Sequence, residues 1–174
     1  MNESRRPWCV VAGGVDVADH EALYAAEQAA FDGTDLEQRR PLAELARLVH
    51  EITSGGWWPG PGVTVGPARV DAVSSRAVES SSGVTIRLAS PQLTTATVMH
   101  ELAHALAGAA ERHGPTYRRA LLDVVEVVTN HDPTERRMLL HVEQLSRAFA
   151  GAGLVVGERR WPSPPPSGSG PIAL

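Results

Sequence analysis

MHELAHAL at residues 99–106 decides which folds are open to this chain, because His100, Glu101 and His104 form an HExxH arrangement within it. Residues four apart on an α-helix lie one turn apart on the same face, so both imidazoles can reach one metal ion. Glu101 sits about 100° round the helix from His100 and can reach a water at that ion. Chance alone produces the pattern in roughly 2 of 100 chains of this make-up, so its surroundings matter. They favour a helix over about 94–107: Val98, Leu102 and Leu106 form an apolar stripe, and Gly108 is a natural stop. The stripe can face a core and leave the histidines on another side. The competing reading is two surface histidines on an ordinary helix.

A catalytic zinc site needs a third protein ligand and one open coordination position. His113 follows His104 just beyond the helix stop, where a short loop can carry it back under the metal. Glu111 is the near alternative, and Asp123 or Glu126 on the following helix are the distant ones. The spacing is not that of a metzincin, whose third histidine comes sooner. His20, His50, His131 and His141 have no metal-like spacing and are expected to take no part.

Working outward, HEALYAAEQAAF at 20–31 predicts a first helix, with Leu23, Tyr24, Glu27 and Phe31 at helical spacings. Pro41 opens a second, carrying Leu42, Leu45, Val49 and Ile52, which SGG at 54–56 ends. Trp57 and Trp58 stand in a Pro/Gly loop, as anchors of the sheet edge or as a lid or pocket wall. Short β-branched runs follow at 63–65, 68–73, 76–79 and 84–89, with SSSG at 80–83 as a hairpin turn. A small antiparallel sheet of about three strands is expected. After the HExxH helix, Pro115 opens a helix with Tyr117, Leu121, Val124 and Val128 on one face. Asp132-Pro133-Thr134-Glu135 has the form of a helix start before Met138, Val142, Leu145 and Phe149. The expected organisation is a flexible arm over 1–16, one α+β domain over 17–156 and a disordered tail over 157–174, GERRWPSPPPSGSGPIAL, whose composition buries little.

Composition narrows the chemistry. All 16 basic residues are Arg, which removes Schiff-base and lysine-anchored pyridoxal-phosphate chemistry and a phosphate loop ending in Gly-Lys-Ser/Thr. The single Cys9 excludes an intramolecular disulfide, a CxxC redox pair and a four-cysteine zinc ribbon, so a metal must be held by His and carboxylate. A formal net charge of −4 without a basic block argues against dedicated nucleic-acid binding. No apolar run is long enough to span a bilayer, and Asp16 and Asp19 follow the short apolar stretch near the start where a cleavage region should be uncharged. A cytoplasmic protein is expected.

HELAHAL followed by ERHGPTYRRALLDVVEVV resembles an uncharacterised actinobacterial family assigned as zinc metallohydrolases, in which an HELAHH-type helix precedes an HGPxF-type segment. LYAAEQAAF resembles that family's YAAE-containing first helix, and the resemblance spans about residues 20–150. More distantly the pattern is similar to SprT-like and WLM metallopeptidases. The resemblance implies a minimal zincin-like fold, His100, His104 and His113 as zinc ligands and Glu101 as general base. Two departures stand out: Tyr117 replaces the usual Phe, and no zinc ribbon follows, so a DNA-repair role is not carried over. The implied partner is a peptide or protein; VTIRLA at 84–89 is the candidate strand for binding it as an added strand, or else is simply an element of the fold. Tyr117 either donates to the oxyanion or packs in the core. The alternatives are a metal-stabilised binding protein without turnover, and a regulatory protease specific for one repressor, as in ImmA/IrrE-type HExxH proteins.

Overall fold

The computed structural model describes residues 17–130 and 138–165. Its elements run α1 (Val17–Phe31), α2 (Leu42–Ser54), β1 (Val63–Pro67), β2 (Arg76–Ser80), β3 (Gly83–Leu88), α3 (Thr95–Ala107), α4 (Pro115–Asn130) and α5 (Met138–Gly151), joined in places by single 3₁₀ turns. The fold is α+β. The arm at 1–16, the helix start at 132–135 and the end of the tail at 166–174 lie outside the described residues.

The sheet differs from the expected antiparallel one. Its order is β1-β3-β2, with β3 antiparallel to β2 and parallel to β1. The chain leaves β1, reverses through residues 68–75 and comes down as β2 on the far side of a gap. It then turns through Ser81 and Ser82 and fills the gap with β3. The burial pattern explains this choice, since Val84, Ile86 and Leu88 alternate inward and are all buried. The run at 68–73, expected as a strand, is a loop in which Val70 is fully exposed. Pro67 offers no N–H to extend β1, and Ala68 N donates the last ladder bond, to Leu88 O at 2.8 Å. The central place of β3 also rules out 84–89 as the edge for an added strand.

Helix α3 is the centre of the molecule. The Thr94 side chain caps it by accepting from Thr97 N at 3.2 Å, and Gly108, at φ 89°, ends it in a conformation that favours glycine. Every residue from Thr95 to Ala103 is buried, so both faces of the HExxH helix are covered. Val98, Met99 and Leu102 join one core with Leu23 and Phe31 of α1, Leu45 and Val49 of α2, Ile86 and Leu88 of β3, Leu121 and Val125 of α4, and Leu145 and Phe149 of α5. Trp58 packs against this core and donates to Pro61 O at 2.8 Å, while Trp57 donates to Pro162 O at 3.0 Å; both are anchors. No described helix is long and apolar enough to cross a membrane.

The domain does not stop at Val156, as the composition suggested. Residues 157–165 run back along α4: Arg159 donates through Nε and Nη2 to Asp123 at 2.6 and 2.9 Å, and Trp161 Nε1 donates to the same carboxylate at 2.9 Å. Pro and Gly weaken regular structure in this segment but do not prevent docking, because its side-chain donors satisfy a carboxylate buried in α4.

Candidate metal centre

His100 and His104 come from successive turns of α3, and His113 from the turn after Gly108. One ligand nitrogen from each lies within 4.8 Å of the others. His113 Nε2 is 3.1 Å from His104 Nε2 and 3.4 Å from His100 Nε2. Tetrahedral zinc with Zn–N bonds of about 2.0–2.1 Å needs nitrogens about 3.3–3.4 Å apart, so the three side chains fit such an ion. Three histidines leave the fourth position for a water or substrate. Of the alternatives, Glu111 pairs with Arg160 at 2.7 Å and Asp123 is taken by Arg159 and Trp161. Neither these nor Glu126 belongs to the cluster.

Helix α1 supplies what the spacing of the motif could not show. Both carboxylate oxygens of Glu27 lie 3.1 Å from His100 Nδ1, and Tyr117 Oη lies 2.8 Å from the same nitrogen. With Nδ1–H donated to Glu27, the tautomer that leaves Nε2 free for a metal is selected. Tyr117 is fully buried and its hydroxyl also donates to Glu27 at 3.4 Å, so it belongs to this orienting group and to the core at once. Tyr24 stacks on His100 with ring centroids 5.5 Å apart and meets His113 edge-on. His20, given no part from its spacing, stands 4.9 Å from the His113 ring, and its Nε2 is buried without a hydrogen-bond partner. His50 is exposed on α2, His141 is buried on α5 outside the cluster, and His131 lies outside the described residues. The available signal was Tyr24 and Glu27, a tyrosine and a carboxylate at i, i+3 within the apolar first helix.

The electrostatics separate the three histidines. Burial pushes His104 and His113 far toward the neutral form, with His100's charge adding to the effect, and His113 falls to about 2. Burial also opposes charge on His100, yet the adjacent Glu27 carboxylate outweighs it and raises its pKa. Glu101 is raised by burial, opposed by His100 and by a hydrogen bond from the Ala77 backbone N–H. Ala77 lies on β2, which forms the outer edge of the sheet beside α3. In the two-residue hairpin closed by Ser80 and Gly83, alternate residues turn their backbone groups outward, and Ala77 is one of these.

In comparisons with known proteins, no family model, curated protein or solved structure matches this chain.

Proposed function

We propose that this chain is a zinc-dependent hydrolase of zincin-like fold, cytoplasmic, with a peptide bond in a peptide or protein as its target. The observation that carries the reading is the convergence of three Nε2 atoms, with the buried Glu101 next to one of them on the same helix. The resemblance of the HELAH and HGP segments to actinobacterial zinc metallohydrolases and to SprT-like metallopeptidases points the same way.

His100, His104 and His113 would hold a zinc ion, which would supply Lewis-acid polarisation of a carbonyl and lower the pKa of a water toward about 7. The rest falls to this chain's residues. Glu101, raised by burial, is suited to take a proton from the attacking water and pass it to the leaving amine. Glu27 and Tyr117 hold the His100 ring so that its Nε2 keeps its aim. The outer edge of β2 replaces 84–89 as the place for an extended substrate, since it already reaches Glu101 and it borders α3. A site that served structure alone would have no use for an acid at this position, which disfavours the metal-stabilised binder.

The test loads wild type and Glu101→Gln with zinc and screens both against unfolded proteins and peptide libraries by mass spectrometry. Zinc content should be equal, and hydrolysis should fall by roughly 10² to 10⁴-fold in the variant. Cleavage at the same rate by both proteins would remove Glu101 from the chemistry. Silence on general substrates would favour the repressor-specific protease, for which capture of a bound protein by the inactive variant is the decisive step.

A further inference from the structure

We propose that residues 157–161 are a brace that positions His113 for metal binding, so that the C-terminal segment sets zinc affinity through that one ligand. The inference rests on the metal site proposed above. Two of the three ligands ride on α3, where helical backbone hydrogen bonds hold them and every residue from Thr95 to Ala103 is buried. The third does not. His113 sits between a single 3₁₀ turn (Ala109–Glu111) and the start of α4, after Arg112 at φ 48°, a left-handed conformation that a non-glycine residue holds only when its surroundings enforce it.

The docked segment grips that turn on both sides of His113. Two residues before it, Glu111 accepts from Arg160 Nη1 at 2.7 Å. Two residues after it, Pro115 O accepts from Gly157 N at 2.9 Å. Gly157 lies so close to Pro115 that a Cβ there would stand 3.0 Å from its carbonyl carbon. The segment is itself tied to the rigid part of α4, since Arg159 and Trp161 both donate to the buried Asp123, and Arg119 Nε donates to Gly157 O at 3.1 Å. Force on the turn is therefore carried to α4, the helix packed most extensively on α3. A segment that merely covered α4 would have no reason to hold positions 111 and 115 together.

The experiment is a double-mutant cycle on the full chain, read as zinc affinity by competition with a chromophoric chelator. The four proteins are wild type, Gly157→Val with Arg160→Ala, His113→Ala, and the combination. The brace variant should lose about tenfold in zinc affinity in the wild-type background, the scale of outer contacts to a metal ligand. In the His113→Ala background the same pair should change affinity by less than about twofold, because the ligand it acts through is gone. Equal losses in both backgrounds, or none in the wild-type background, would overturn the brace. An unchanged affinity in His113→Ala alone would instead overturn the ligand assignment. If the Val substitution prevents folding, Arg160→Ala alone carries the comparison, since its side chain is 66% exposed and the fold does not depend on it; a loss of about threefold, confined to the background that retains His113, is then expected.

Discussion

Glu27→Gln is the sharpest probe of the centre, because it keeps the side chain's size and an oxygen acceptor for His100 Nδ1 while removing the charge. The carboxylate oxygens stand 3.1 Å from Nδ1. Adding the imidazole ring and a Zn–N bond places a zinc ion about 7 Å from them. At an effective dielectric of about 20, the carboxylate attracts a dication at that distance by about 5 kcal/mol and a single charge by about 2.4 kcal/mol. The same carboxylate raises the pKa of His100 in the metal-free protein, so at low pH zinc replaces a proton that Glu27 was already stabilising. The net loss there is the difference, about 2.4 kcal/mol or about 50-fold in zinc affinity. Above the pKa of His100 no proton is displaced, and the deficit of the variant should grow. Chelator competition at two pH values, one well below and one well above that titration, measures both. Affinities within threefold of wild type at both would refute the coupling of Glu27 to the metal; a deficit that shrank as pH rose would refute the proton-competition argument.

Three further outcomes follow from particular residues. Zinc affinity should fall about tenfold per pH unit below the pKa of His100 and level off above it: that group is raised and must lose one proton, whereas His104 and His113 are already held neutral; a slope of two protons from the same titration would contradict this assignment. Gly83→Ala should destabilise the domain by about 1–3 kcal/mol in urea unfolding, since Gly83 adopts φ 131° and a Cβ there would collide with Gly62 O, and an unchanged midpoint would mean the hairpin adjusts freely. Asp123→Ala should cost about 1.5–3 kcal/mol and increase proteolysis within 157–165, because Arg159 and Trp161 lose their common acceptor; protection equal to wild type would show that other contacts hold the segment.

Local features were legible in the chain. The helices followed from apolar spacing, and His100, Glu101 and His104 from a span of five residues, because helix geometry fixes neighbours within that span whatever the rest of the protein does. Gly108 marked where the helix must end, which put His113 on a loop able to return. Pairing partners distant in sequence were not legible. β1 and β3 pair directly in parallel although β2 lies between them in sequence, an order decided by which strand could bury a whole face, and alternation within each strand carries no record of its neighbour. Glu27 lies 73 residues from His100 and Arg159 lies 36 from Asp123. Each looked like an ordinary polar residue, on a helix or in a Pro-rich end. Only the tertiary packing, by burying the imidazole and the aspartate, made a charged partner for each of them necessary.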